Sequence, residues 1–324
     1  MRIAYQIKRI NQHIEQTQAN GENCRPRILI YLDMLCCMIF YGFLIEDYFN
    51  FKLWRFKACE RKKFTSARRQ AYLVEKTCGE YCEKLENKAK FNSTFNDYLK
   101  REWLELPGTD FETFKSFAEA KKAFIVKPLC GEQGKGVRVE SVSNCCAEDL
   151  YNNLCAERVI VEERLTQVKE LAEFNADSIN TMRVVTLLCK DGARVVTSAI
   201  RFGRKDQVVD NYCSGGLAAS VNTEYGIVCS AAVDNSGKEH IVHPDSGKQI
   251  IGFNVPLWDE IKQTCIDAAE LIPETKYVGW DVCITEDGEI AFVEGNAAPG
   301  AVLTEATDLS GKWHLYEAAL KDLA

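Results

Sequence analysis

The chain has 324 residues, 46% hydrophobic and 27% charged, which is ordinary globular composition and enough for one large domain or two modest ones. Lys and Arg number 40 against 47 Asp and Glu, a formal charge of −7, which argues against wholesale nucleic-acid binding while leaving room for a local basic patch. The 7 prolines and the lack of a low-complexity tract argue against long disorder.

Residues 1–105 read as helical throughout. The opening MRIAYQIKRINQHIEQ is amphipathic and charged, without the apolar core of a signal peptide. Ile28–Ile45 is a run of eighteen nearly all apolar residues, broken by Asp33 and Gly42 and followed by Glu46 and Asp47. A membrane span needs about 20 apolar residues, and a central acid costs about 2.5–3.5 kcal/mol there. The run is therefore expected to be a buried helix, with a membrane-associated hairpin as the alternative. From Lys52 to Arg69 there are eight Lys or Arg and one acid, Glu60, interleaved with Trp54, Phe56 and Phe64. That stretch is either a solvated helix face or a grip for an anionic sugar, nucleotide or lipid head group. The run Thr65–Leu85 has helical spacing, with Leu73, Val74, Cys78, Tyr81, Cys82 and Leu85 on one side.

At Pro107-Gly108 the character changes, and short β-branched runs alternate with Gly-containing turns. Strands are expected at Ala123–Lys127, Val137–Glu140, Val159–Glu162, Arg183–Leu188, Val195–Ile200, Gly226–Ala232, Val278–Ile284 and Ile290–Glu294. Helices are expected at Ala147–Cys155 and Pro256–Leu271, which together make an α+β pattern with hairpins. The 15 cysteines are scattered without a CxxC, and Cys78 and Cys82 lack the partners to close a zinc site. Thiols used as small hydrophobes in a reducing, cytoplasmic setting fit this usage.

Two segments carry chemistry. In Phe124–Val137 (FIVKPLCGEQGKGV) a strand ends in Lys127-Pro128, and a loop with Gly131, Gly134, Lys135 and Gly136 follows. Glycines let backbone N–H groups approach an anion, and a lysine at the strand end adds a fixed positive charge. No Walker motif is present; a plain β-turn is the simpler reading of this loop. In the second segment Asp281 opens one strand of a hairpin turning at Glu286-Asp287-Gly288, and Glu294 and Asn296 end the other. Glu294 and Asn296 differ by two and emerge on one face of an extended segment. Two carboxylates and an amide oxygen suit Mg²⁺; surface carboxylates flanking an ordinary hairpin are the alternative.

FIVKP with GEQGKG, VIVEERL at 159–165 and the DxxxxxDGxxxxxEGN pattern at 281–296 together resemble the ATP-grasp superfamily of carboxylate–amine ligases, over residues 88–300. The helical N-terminal region and Ser178–Arg183 are most similar to its sugar-transfer-associated branch. The resemblance implies an α+β ATP-grasp fold of two lobes gripping ATP behind an N-terminal helical region. It places that region at 1–105, a small lobe with the glycine-rich loop at 106–165, and a large lobe with magnesium and acceptor sites at 166–324. The resemblance makes Lys88 the first ATP lysine (with Lys90 a rival), Lys127 the second, and Gly131, Gly134 and Gly136 part of a loop closing over the phosphates. Glu162, Glu163 and Leu165 would form the hinge at the adenine edge, and Asp281, Glu294 and Asn296 would bind Mg²⁺. The ribose would fall to Glu170, Glu173 or Asn180. Many relatives carry an arginine two residues before the metal aspartate; here that position is Gly279, so Arg183, Arg201 and Arg204 are candidates to hold an acyl-phosphate. Asn211 with Gly215 and Gly216 resembles a loop whose N–H groups hold a tetrahedral oxyanion, with a simple tight turn at Gly215-Gly216 as the alternative.

The implied activity is ligation of a carboxylate to an amine with ATP and Mg²⁺, on a small sugar or amino-acid substrate of cell-surface polysaccharide. Peripheral association with membrane-bound polysaccharide machinery goes with that reading; nucleic acid does not. The rivals are a kinase of the same fold and a non-catalytic nucleotide- or glycan-binding partner. Of the four histidines, His13 and His314 fall in helical ends, while His240 and His243 fall in a polar loop and are expected to be solvated.

Overall fold

The computed structural model describes residues 2–23, 25–78, 83–131, 134–144, 146–207 and 209–323. Its first part is built from α1 (Arg2–Ala19), α2 (Arg27–Cys36, prolonged by a π turn over Cys37–Tyr41), α3 (Ala67–Thr77) and α4 (Lys88–Thr94), with short turns between. Ile14, Ile30, Met34, Tyr48, Phe51 and Phe64 bury together, and Ala306 from the far end of the chain joins them. Two expectations fail here. Ile28–Ile45 is not a buried helix: Ile30, Met34 and Cys37 face the core, while Ile28, Leu32, Leu35, Ile39 and Phe40 are exposed. The run 65–85 is not one helix either. α3 stops at Thr77, because Cys78 leaves it to bridge Thr275, and Leu85 buries from a separate turn at Glu83–Glu86. Tyr81 and Cys82 lie outside the described residues.

A strand, β1 (Trp103–Leu106), interrupts the stretch read as helical. Pro107 follows it, and β1 takes an edge position in a four-stranded antiparallel sheet of order β1-β4-β2-β3, with β2 (Ala123–Pro128), β3 (Arg138–Ser141) and β4 (Val159–Glu163). An unanticipated helix, α5 (Phe111–Lys121), is started by Asp110, whose side chain accepts from the Thr113 N–H at 2.9 Å. With α6 (Ala147–Glu157) it covers one face of the sheet, where Phe114, Phe117, Phe124, Val126, Leu154, Val159 and Val161 form the core. The period of two then turns Ile125, Lys127, Ile160 and Glu162 to the opposite face. That face is a wall of the cleft described below.

The second sheet has seven antiparallel strands in the order β11-β10-β5-β6-β7-β8-β9. They are β5 (Met182–Cys189), β6 (Gly192–Phe202), β7 (Leu217–Ser220), β8 (Ala232–Val233), β9 (Glu239–His240), β10 (Tyr277–Ile284) and β11 (Ile290–Ala297). The expected strand Gly226–Ala232 shrinks to β8 and isolated bridges. Gly226, at φ +70°, closes a turn by donating its N–H to Asn222 O and lies against Trp258, where a Cβ would collide. α7 (Trp258–Glu270) packs Ile261, Cys265 and Ala268 against Val184, Trp280 and Val282, and α8 (Trp313–Lys321) sets Trp313 and Tyr316 on the other face beside Leu187 and Tyr277. Phe91 of α4, with Phe95 and Leu99 just after it, enters the core of this second sheet.

Candidate functional site

The site grows from one register. Asp281 on β10 sits opposite Arg183 on β5 and opposite Glu294 on β11, and Gly279 sits opposite Asn296. Phe292 and Glu294 are two apart and would share a face in a regular strand. The pairing instead skips between Asp281 and Val282, leaving Val293 as an extra bulged residue. Phe292 therefore goes into the core with Val282, while Glu294 turns to the side of Asp281. Asn296 reaches both acids, its amide nitrogen lying 3.5 Å from Asp281 Oδ2 and 3.4 Å from Glu294 Oε1.

Electrostatics separate the two acids. Burial alone would raise the Asp281 carboxyl, but Arg183 and Arg201 overcome it and hold it well below the usual carboxylate range. Arg183 grips Asp281 with two nitrogens, Nη2 at 2.9 Å from Oδ2, and Arg201 Nη2 lies 2.9 Å from the same oxygen. Arg201 Nε donates to Thr181 Oγ1 at 2.8 Å. Glu294 is pushed up by burial and by the neighbouring Asp281. Two acids leaning on one another beside an amide are a donor set that fits a small divalent cation with hard oxygen ligands, which would relieve their repulsion. Among the described residues no cluster of three or more Cys, His or acidic side chains is placed to hold a metal, so the amide of Asn296 is needed to complete the set. Arg183 and Arg201 are thus bound to Asp281 instead of reaching freely for an acyl-phosphate, a correction to the sequence expectation. Arg204 is elsewhere, paired with Asp245 at 2.7 Å.

Across the cleft, Lys127 Nζ lies 2.6 Å from Glu162 Oε2. Glu162 is 2% exposed and also accepts from Arg101 Nη2 at 2.9 Å and Asn92 Nδ2 at 2.8 Å. Burial would raise this carboxyl; Arg101 and Lys127 together hold it far below the ordinary range. Glu163 turns its carboxylate away to Lys121 at 2.9 Å, so neither acid side chain is presented to a ligand as a free group. Lys88, capped into α4 by Asn87, donates Nζ to Gly131 O at 2.9 Å, and burial lowers its ammonium against the opposing pull of Glu294. Lys90 pairs with Glu83 at the surface and does not line the cavity that Lys88 lines.

A cavity of about 340 Å³ lies between the sheets, lined by Lys88, Lys127, Gly131, Glu162, Glu294 and Asn296 among others. A second of about 560 Å³ opens beside the hinge at Ile125, Leu165 and Ile179, and a smaller one of about 80 Å³ joins Gly134 and Lys135 to Arg201, Asn211 and Glu294. Gly136 packs on Pro128, where a Cβ would lie 2.8 Å from the ring, and its φ is +79°. Glu132 and Gln133 of this loop lie outside the described residues.

Several expected roles do not survive. The N–H of Gly216 donates to Asn211 O at 3.0 Å and that of Gly215 to Tyr212 O at 3.3 Å, so both are spent inside the turn and not aimed at an oxyanion. Asn180 is enclosed by Gln167, Leu171 and Asn175, which takes up its amide, and Glu173 pairs with Lys248 at the surface and lines none of these cavities. Glu170 is exposed, lines none of these cavities, and accepts from Lys248 through its backbone oxygen. His243 is buried, not solvated, and donates to Gly203 O at 2.9 Å. Sequence reasoning missed Arg101 and Asn92, which lie in the segment read simply as helical and carry no motif.

A family model described as sugar-transfer associated ATP-grasp matches residues 68–317. Among solved structures, the ATP-grasp ligase PsnB with a phosphomimetic variant of its minimal precursor, Mg and ADP is similar at 16% identity and TM-score 0.45, covering 80% of this chain and 62% of that one. The D-alanine-D-alanine ligase from Coxiella burnetii is similar at 12% identity and TM-score 0.41 (73% and 53%), and that from Bacillus anthracis at 12% and 0.44 (78% and 75%). The chain spans less than two thirds of the length of the first two of these. No curated protein matches the sequence. With more than three quarters of its length matched by the one model, the chain belongs to the sugar-transfer associated ATP-grasp family.

Proposed function

We propose that this protein is an ATP- and Mg²⁺-dependent ligase that joins a carboxylate to an amine through an acyl-phosphate, on a sugar or amino-acid substrate of cell-surface polysaccharide. The observation that carries the reading is Glu294 and Asn296 on the wall of a cavity shared with Lys88 and Lys127, with Asp281 buried next to them, opposite Glu294 and Arg183 in the strand register. Fixed cations and a hard-oxygen donor set in one cleft suit phosphoryl transfer, where positioning and electrostatics supply most of the catalysis.

Asp281, Glu294 and Asn296 would hold Mg²⁺, which when bound neutralises charge on the nucleotide phosphates. Lys127 is held in place by Glu162, itself fixed by Arg101 and Asn92, so its ammonium needs no reorganisation to meet a phosphate. Lys88 brings a second cation, already partly desolvated. Arg183 and Arg201 keep Asp281 ionised. In the reaction a carboxylate oxygen bonds to the γ-phosphorus as ADP leaves, and an amine nitrogen then displaces phosphate from the acyl carbon. The test is release of ADP and free phosphate from MgATP over pooled uronic acids, amino acids and amines. Equal ADP and phosphate, formed only when both a carboxylate and an amine are present, is the expected result. ADP with the phosphate retained on the acceptor would make the protein a kinase.

A further inference from the structure

The described residues contain no helix long and apolar enough to cross a membrane, yet one helix carries an apolar stripe on its outer side. On α2 and its π turn, Ile28, Leu29, Leu32, Leu35, Ile39 and Phe40 are each about half exposed or more, Phe40 reaching 71%. The opposite side of the same segment, at Ile30, Met34 and Cys37, is in the core. The single acid of the run is withdrawn from the stripe: Asp33 accepts from Arg61 at 2.6 and 2.9 Å and from the Tyr48 hydroxyl at 3.0 Å. Cations stand at both ends of the stripe. Arg25 and Arg27 are exposed at its start, and Arg68 at its end donates to Ile39 O while lying over Gly42.

Charge is segregated in the same sense. Residues 2–69 hold 13 Lys and Arg against 6 Asp and Glu, so the rest of the chain holds 27 against 41. An acidic protein thus carries a net positive charge on the region that bears this apolar stripe. The segment Arg27–Tyr41 would be about 22 Å long at helical rise, short of a bilayer core of about 30 Å. A helix of that length with an apolar side and basic flanks lies in the plane of a membrane surface.

We propose that the outer face of α2 and its π turn docks the protein on an anionic lipid bilayer, with Leu32, Leu35 and Ile39 entering the acyl boundary and Arg25, Arg27 and Arg68 meeting head-group phosphates. A second copy of the chain fits this face less well, because a two-fold pairing would bring the same arginines against one another.

Flotation of the full chain with vesicles tests the proposal. Vesicles of phosphatidylcholine with roughly 30% phosphatidylglycerol are expected to carry the protein upward at about 50 mM salt, and pure phosphatidylcholine or about 500 mM salt to reduce this about tenfold or more. The triple variant Leu32→Ser, Leu35→Ser, Ile39→Ser, at exposed positions, is expected to keep its circular dichroism and lose flotation about tenfold. Failure of the wild type to float with anionic vesicles, or flotation unchanged in the folded triple variant, would overturn the proposal. So would light scattering that shows a wild-type dimer reduced to a monomer by the same three substitutions.

Discussion

At the residue scale, Asp281 and Glu294 differ in what their loss would do, although both are assigned to the same cation. Asp281 is fully buried between Arg183 and Arg201, so Asp281→Asn strips the enclosed Arg183 of its counter-charge and leaves Arg201 only Asp210, at 3.6 Å. Breaking a buried pair from one side costs about 3–5 kcal/mol, and this variant is expected to lose stability as well as turnover. Burial and Asp281 push the Glu294 carboxyl up, so Glu294→Gln removes a charge that its surroundings disfavour. It is expected to keep stability within about 1 kcal/mol while turnover falls about 100-fold or more. Urea unfolding alongside ADP release separates the two variants; equal stability loss in both would refute the different environments assigned to them. The same contrast holds for the hinge acids. Glu162→Gln opens a buried network of Lys127, Arg101 and Asn92 and is expected to cost about 3–5 kcal/mol, whereas Glu163→Gln, whose partner Lys121 is near the surface, should cost under about 1 kcal/mol.

At the scale of elements, much of the site was legible because strands announce themselves by period and turns by glycine. β2, β4, β10 and β11 fall where alternation and turn residues put them, and Asp281, Glu294 and Asn296 do share a face. Their coming together depends on the bulge at Val293, which no residue type signals. Without that bulge Glu294 would follow Phe292 into the core. Pairing partners were equally hidden: nothing in the sequence ties Arg183 to Asp281, because the β5–β10 contact joins residues almost a hundred positions apart. Arg101 and Asn92 escaped for the same reason, since their meaning comes from Glu162 on a distant strand. α5 was missed beside a strong turn signal, and the Ile28–Ile45 run misled because hydropathy cannot say how much of a helix a small core will cover. The way α4 and its successor turn join the second sheet can be tested through Phe95. Fully buried, it meets Trp280 edge-on at 5.2 Å, and Phe95→Ala is expected to lower unfolding stability by about 3–5 kcal/mol. A loss below about 1 kcal/mol in urea titration would show that these helices are not integral to the core.

At the scale of the whole molecule, an enclosed acid fastens the N-terminal helices to the C-terminal segment, alongside hydrogen bonds from Trp313 N to Lys63 O and from Gln70 Nε2 to Pro299 O. Glu305 is fully buried and accepts from Thr65 N at 2.8 Å, Thr65 Oγ1 at 2.6 Å and Lys312 N at 3.2 Å. Burial pushes its carboxyl up to about 7 from an ordinary 4.5, so between those values the folded state holds a proton that the unfolded chain has released. Stability from this group is complete below the lower value and is lost as pH rises toward the upper one, by about 3 kcal/mol over the window. Glu305→Gln is expected to flatten that part of the pH–stability curve, and an unchanged slope would contradict the assignment. Such a fastening places the helical region, with its apolar outer face, on the body that carries the acid pair. The proposed MgATP site is the cleft between the two sheets. Titration calorimetry of ADP with and without Mg²⁺, on the wild type, Lys127→Ala and Glu294→Gln, tests it most directly. The expected result is Mg²⁺-dependent binding by the wild type, binding weakened about tenfold or more in Lys127→Ala, and loss of the Mg²⁺ dependence in Glu294→Gln. Nucleotide binding that is the same in all three proteins would place the site elsewhere.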